Sequence, residues 1–422
     1  MNLSKTMTVQ QGVVLAVCTL IGSGLLGLPG LAIEVSGGQA AALAWPLTML
    51  MSVPLVLIFL SLSLKVQNSG GIARYIRISF GARAEGATTF ILALTFMMCI
   101  PLGTFMGAVY IQKIFNLPSQ AQFWIAAFIL VMTTIVNAFG INSSSWINKL
   151  SALALVLLVC LFVLSQPKLL GVGISAYVQY LQSWENVEFT DLWKGCALIF
   201  WAFLGWENLS FSSEEVSGGE KTIWAIFIWG FVAVSLIYAV LAVVALGADR
   251  LGLYVTGVSG LLSIVSDGPY STLSHVLIVL IVVANVNAWV FAASRLIYAA
   301  GRNRLLPYYL GQLSVDSLLP IASLLSMLVV YIILSAAIAT NIIPLSIGLM
   351  VANQNFIVVY VLVIICYAKT ATGFAAWLTT LLAVLSCIFL MVGFKTLLVI
   401  PIVLGVFGYF VAKNHGGEWS PS

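Results

Sequence analysis

Runs of about 20 uncharged, mostly apolar residues alternate along this chain with short polar clusters, and that is the length a helix needs to cross a bilayer. The Gly, Pro and charged positions between the runs predict spans near residues 10–34, 40–64, 86–112, 121–140, 147–166, 192–214, 222–247, 272–300, 318–340, 343–367, 373–393 and 396–413. The short alternating segments of a membrane β-barrel are not seen. The pattern predicts an all-α polytopic membrane protein with about 12 helices. The longest outside connection, near 167–191, is expected to hold a short surface helix.

Two spans depart from the pattern. In span one, "TLIGSGLLGLPG" (Thr19–Gly30) sets Gly22, Gly24, Gly27, Pro29 and Gly30 in the middle of the run. Gly and Pro weaken the intrahelical hydrogen-bond ladder. In span six, Glu207 ends an uncharged stretch that begins after Lys194, and Gly205 stands two residues before it. An ionised carboxylate at membrane depth normally faces a bundle interior or a watery cavity.

The two anomalies lie five spans apart, and an odd number of spans makes the second unit enter the membrane from the opposite side. The sequence thus predicts a single transporter domain, 1–422, built as a 5+5 inverted repeat. Residues 10–166 form the first unit, 192–367 the second, and 373–413 two additional helices. Irregular backbone is tolerated at membrane depth where it lines a cavity. There the freed amides of a half-helix suit a carboxylate, and freed carbonyls suit a cation such as an ammonium. The plainer reading makes the glycines a helix-packing face and Glu207 a structural carboxylate. The matched positions in the two halves favour a binding site.

Composition narrows the class further. Of 422 residues, 62% are hydrophobic and 7% charged, with a mean hydropathy of +1.12. The net charge of +4 is too small to suggest nucleic acid. Most Lys and Arg, including Lys65, Arg74, Arg77, Arg83, Arg302 and Arg304, fall on one side if the N-terminus is inside, which predicts both termini cytoplasmic. Cys18, Cys99, Cys160, Cys196, Cys366 and Cys387 lie in apolar stretches without metal or redox spacing. The first run has no small-residue cleavage site and is expected to be retained as a span. No nucleophile–base pair, channel filter repeat or nucleotide-binding loop stands out, which argues against an enzyme, a channel or an ATP-driven pump. No cofactor or metal is expected.

Four motifs in order resemble the amino acid–polyamine–organocation (APC) superfamily. "IGSGLLGLP" resembles its first-span signature, and "FWAFLGWENLSFSSEEV" its sixth-span break followed by an acidic pair. "NSGGIARYIRISFG" (Asn68–Gly81) is similar to its first inner loop, and "SRLIYAAGRNRLLP" (Ser294–Pro307) to the stretch leaving span eight. The inner loop lacks the acidic residue of the major facilitator signature. The short loops look most like the bacterial methionine and branched-chain amino-acid exporters. The resemblance implies a LeuT-type fold with helices 1 and 6 broken, in the cytoplasmic (inner) membrane.

It also implies a site. The substrate carboxylate would meet the amides at Gly22, Ser23 and Gly24, and the ammonium the carbonyls of Leu20, Trp201 and Leu204. Trp201 would close over the substrate, while Phe203 and Gly205 would shape the side-chain pocket, with Met97 and Met98 as further lining candidates. Glu207 would sit behind the site and couple binding to gating. Asn287, in span eight, is a candidate gate or ion contact. Two departures stand out: no lysine lies in span five, where Leu157 stands near the family position, and "SGGEKT" follows Glu214–Glu215 in place of an Asn-Pro element.

The expected function is secondary transport of neutral, mostly apolar amino acids such as methionine, leucine, isoleucine and valine, by export or exchange. The alternatives are a proton-coupled importer and a transporter of aromatic amino acids or amines. The expected partners are the amino acid, the lipid bilayer and protons as candidate coupling ion, with no nucleic acid and the oligomeric state open. The inner loop 71–80 is expected to form an amphipathic surface helix, its arginines near anionic headgroups.

Overall fold

A computed structural model describes residues 5–22, 24–67, 71–165, 167–256, 260–262, 264, 270–314, 319–392 and 398–415. These residues are almost wholly helical, with one isolated parallel bridge between Met7 and Val216. The helices are α1 (Val9–Leu20), α2 (Leu28–Lys65), α3 (Gly71–Phe80), α4 (Ala82–Ile114) and α5 (Ala121–Ala138). There follow α6 (Ile141–Ser165), α7 (Pro167–Gln182), α8 (Phe189–Ile199), α9 (Trp206–Phe211) and α10 (Glu220–Arg250). The chain closes with α11 (Ser271–Arg302), α12 (Ile321–Ala339), α13 (Leu345–Thr370), α14 (Phe374–Met391) and α15 (Val399–His415).

A helix stands at each expected span. Among the described residues, however, only eight helices are individually long and apolar enough to cross a membrane. The shortfall from about 12 has local causes. Span one stops after 12 residues of α1, and its second half runs into α2. Gly37 (φ 76°, ψ 155°) marks the corner between that half and span two, a backbone conformation that a side chain would strain. Span six is likewise split between α8 and α9. α7 is the helix expected in the 167–191 connection.

Local sequence explains the ends. Thr8 and Gln11 form a reciprocal capping box that starts α1: the Gln11 N–H donates to Thr8 Oγ1 at 3.3 Å and the Thr8 N–H to Gln11 Oε1 at 2.9 Å. Pro29, in the first turn of α2, sacrifices no intrahelical bond there. α3 buries Ile72, Tyr75 and Ile76, leaves Arg74 and Arg77 half-buried with Arg77 paired to Glu85 at 2.6 Å, and exposes Ile78 and Phe80.

Helix α1 is central and packs against α6, α9, α10 and α11, while α8 lies along α2. α4 packs on α5, α11, α12 and α13. α14 and α15 are peripheral, against α2 and α13 and against α4 respectively. The outer surface carries exposed Leu50, Trp124, Phe128, Ile333, Phe374 and Leu385. So apolar an exterior suits lipid and would aggregate in water. The chain is a multi-pass membrane protein.

Candidate functional site

The glycine-rich stretch of span one divides into two halves with different tasks. α1 ends when the Ile21 N–H donates to the Val17 carbonyl and the chain turns extended (φ −107°, ψ 108°). Leu25 N–H then bonds the Gly22 carbonyl and Leu28 N–H the Gly24 carbonyl, both at 2.9 Å, and α2 begins. The amides of Gly22 and Gly24 make no hydrogen bond with a described residue. Both glycines line a cavity. Ser23 lies outside the described residues. Gly30 faces elsewhere: a Cβ there would collide with the Val255 carbonyl. Close approach of backbone thus explains Gly30, while Gly22 and Gly24 line the cavity and pack their Cα faces against the Asn285 amide and the Leu28 side chain.

Span six breaks at the matching depth. α8 tightens into a 3-10 turn over Phe200–Phe203, Leu204 is extended, and Gly205 takes φ 134°, ψ −6°. A Cβ on Gly205 would lie 3.3 Å from Leu20 Cγ, so the two breaks meet there. Glu207, fully buried in the first turn of α9, accepts the Gly205 N–H at 3.2 Å and the Tyr360 hydroxyl at 2.6 Å, both on Oε2. A carboxylate at a helix N-terminus also meets the positive end of the helix dipole. Glu207 thereby ties the break to α13 and lies outside the cavity lining.

A cavity lies between the two breaks. Span one contributes Leu20, Gly22 and Gly24 to its wall, and span six Trp201 and Leu204. α4 adds Cys99, Ile100, Gly103 and Thr104; α11 and α13 add Asn285, Trp289 and Phe356. None of these side chains carries a charge. Trp201 is half-buried, its Cδ1 3.5 Å from where a Gly24 Cβ would stand. The carbonyl of Trp201 already accepts the Leu204 N–H at 3.3 Å.

Several expected residues stand elsewhere. Phe203 is buried among Phe231 and Tyr238 behind the break, not in the cavity wall. Met97 lines a separate apolar groove with Phe90 and Phe407, and Met98 packs beside Leu102 and Phe105. Asn287 faces α5, where its Oδ1 accepts the Asn137 Nδ2–H at 2.9 Å. The α11 amide at the site is Asn285, two residues earlier. Its Nδ2 donates to the Cys18 and Thr19 carbonyls at 2.7 and 3.1 Å, and Trp289 Nε1 donates to the Thr19 carbonyl at 2.8 Å. Only the polarity of "ANVNAW" pointed to this residue in the sequence.

Below the cavity, Arg295 and Glu215 form a buried ion pair at 3.1 Å, with the guanidinium 3.7 Å from the Phe291 ring centroid. The Glu215 carbonyl accepts the amides of Thr6 and Met7 at 3.0 and 2.8 Å, pinning the start of the chain under α9. The second acidic residue of the "EE" pair thus joins the N-terminal segment to α11.

Two helix breaks with free amides at one side and carbonyls at the other can hold a small zwitterion, and the neutral wall suits an uncharged side chain. Comparison with known proteins gives the family. Residues 8–415 match the family model described as amino acid permease. An uncharacterized amino acid permease, YecA of Bacillus subtilis, is 26% identical over 99% of this chain and 97% of its own. The L-methionine/branched-chain amino acid exporter YjeH of Escherichia coli is 24% identical over 96% of each chain. The solved structure of MhsT in complex with L-phenylalanine superposes with a TM-score of 0.68 at 12% identity, covering 97% of this chain and all of that one. That likeness shows a LeuT-type fold.

Proposed function

The chain belongs to the amino acid permease family, a family of transporters and not of enzymes, and from that premise we propose that it exports or exchanges neutral, mostly apolar amino acids by alternating access. The carrying observation is the uncharged cavity between the breaks of spans one and six. The substrate carboxylate lies on the amides of Gly22 and Gly24, with Ser23 between them, and the ammonium on the carbonyl side near Leu20 and Leu204. Trp201 covers the ligand. Glu207 acts from behind through Gly205 and Tyr360, and Phe203 through its packing on α10. Both termini lie in the cytoplasm of a cell whose inner membrane holds the protein.

The lining accounts for the substrate class. A charged side chain would be desolvated with no opposite charge on the wall, at a cost of several kcal/mol, which excludes it by a factor of a hundred or more. Ile100, Val286 and Phe356 offer apolar contact to methionine, leucine, isoleucine or valine. The similarity to an exporter of methionine and branched-chain residues supports the same class and direction.

The test is counterflow of radiolabelled leucine and methionine in proteoliposomes, with the other amino acids as competitors and with imposed proton and sodium gradients. Methionine and the branched-chain residues should compete best. Stronger competition by arginine or glutamate would refute the pocket assignment.

A further inference from the structure

The Asn285 amide is spent in an unusual way. Both hydrogens of its Nδ2 are directed to the α1 carbonyls of Cys18 and Thr19. The Thr19 carbonyl also takes the Trp289 indole N–H, so both of its lone pairs are used. These donors satisfy carbonyls at the negative end of a helix that stops inside the protein. They also fix which way the amide lies. Were it flipped, an oxygen would face two carbonyl oxygens at hydrogen-bond distance, which is repulsive.

The fixed orientation leaves Oδ1 as the open position of the amide. No described residue donates to it, although the side chain is 8% exposed and lines the cavity. Gly22 lies against the same amide; any Cβ there would overlap it. The oxygen is open to the cavity, where a ligand that supplies a charged donor gains a hydrogen bond.

Resting on the transport reading above, we infer that Asn285 is a specificity-determining residue of this site, its Oδ1 accepting a hydrogen bond from the α-ammonium of the bound amino acid. Trp289 shares the Thr19 carbonyl with Asn285 and lines the cavity, and it touches no group that tells ligands with and without the ammonium apart. The ammonium therefore docks at Leu20 and the Asn285 oxygen and not at the Thr19 carbonyl, whose lone pairs are taken. A side-chain acceptor on α11 also ties the substrate to a helix outside the two breaks, so that binding draws α1 and α11 together. A ligand without a protonated amine forfeits that contact.

The experiment pairs a ligand change with a residue change. Leucine and 4-methylpentanoate, the same acid without the ammonium, compete for radiolabelled methionine bound to wild type, Asn285→Ala, Asn285→Ser and Trp289→Phe. The wild-type preference for leucine over the deaminated acid should shrink by about tenfold in Asn285→Ala, the scale of one charge-assisted hydrogen bond. Trp289→Phe should weaken both ligands by the same factor. An unchanged preference in Asn285→Ala, whether or not both ligands weaken, overturns the assignment while leaving the transport reading intact. Failure of the wild type to bind leucine or methionine sinks the transport reading and the inference with it. Should neither Asn285 variant be monodisperse, a leucine-bound structure of the wild type decides. The ammonium nitrogen within about 3 Å of Asn285 Oδ1 supports the contact, and a position beyond hydrogen-bond reach overturns it.

Discussion

Removing the Tyr360 hydroxyl tests how the break in span six is tied to the rest of the bundle. That hydroxyl donates to Glu207 Oε2 at 2.6 Å, and both residues are fully buried. The same oxygen takes the Gly205 N–H, so one carboxylate holds the corner of the break and a neighbouring helix together. Tyr360→Phe keeps the ring, which sits edge-on to Phe59 and Phe200 with centroids 4.8 and 6.3 Å away, and deletes only the donor. A hydrogen bond to a charged group contributes about 1.5–3 kcal/mol, and losing it should disfavour the tied conformation by roughly 2 kcal/mol, or about 30-fold. Tyr360 does not line the cavity, so leucine binding should change by less than about threefold, or some 0.6 kcal/mol. Counterflow should fall by tenfold or more, because the break no longer moves with α13. Glu207→Gln should also bind substrate and transport slowly, and the double variant should be little worse than Tyr360→Phe alone. A double-mutant cycle on counterflow rates measures that coupling. Additive losses would falsify the proposed link, and equal loss of binding and transport would place Glu207 in contact with substrate.

Two further outcomes follow from the geometry. Gly24→Val should abolish leucine binding in protein that remains inserted and monodisperse, since a branched side chain would press on Leu28 and Trp201 and cover the amide; wild-type affinity by scintillation proximity would remove Gly24 from the site. Arg295→Met should lower stability by about 3–5 kcal/mol by leaving Glu215 buried without its partner, and Arg295→Met with Glu215→Leu should recover most of the loss. Thermal unfolding in detergent measures both variants, and a stable single variant would show that the pair contributes little.

Much of this protein was legible in its sequence because the relevant signals are local. Membrane spans follow from runs of apolar residues, since the bilayer imposes its thickness on each helix separately. The breaks were visible because Gly22, Gly24 and Gly205 weaken a helix wherever they stand, and Glu207 announced itself by its charge in an apolar run. Even so, the sequence could not divide one glycine-rich stretch into Gly22 and Gly24 facing a cavity and Gly30 facing the Val255 carbonyl. The choice between neighbouring side chains was decided only by the tertiary structure. Asn285 and Asn287 are equally polar and two residues apart, but two residues turn a helix by about 200°, so one meets α1 and the other α5. The same rotation put Cys99 and Thr104 in the cavity wall where Met97 and Met98 were expected, and it buried Phe203 behind the break. Composition and spacing determine where a helix runs and where it must open. Which of its faces meets the ligand depends on how the helices rotate to pack against one another, and residues far apart in the chain set that angle.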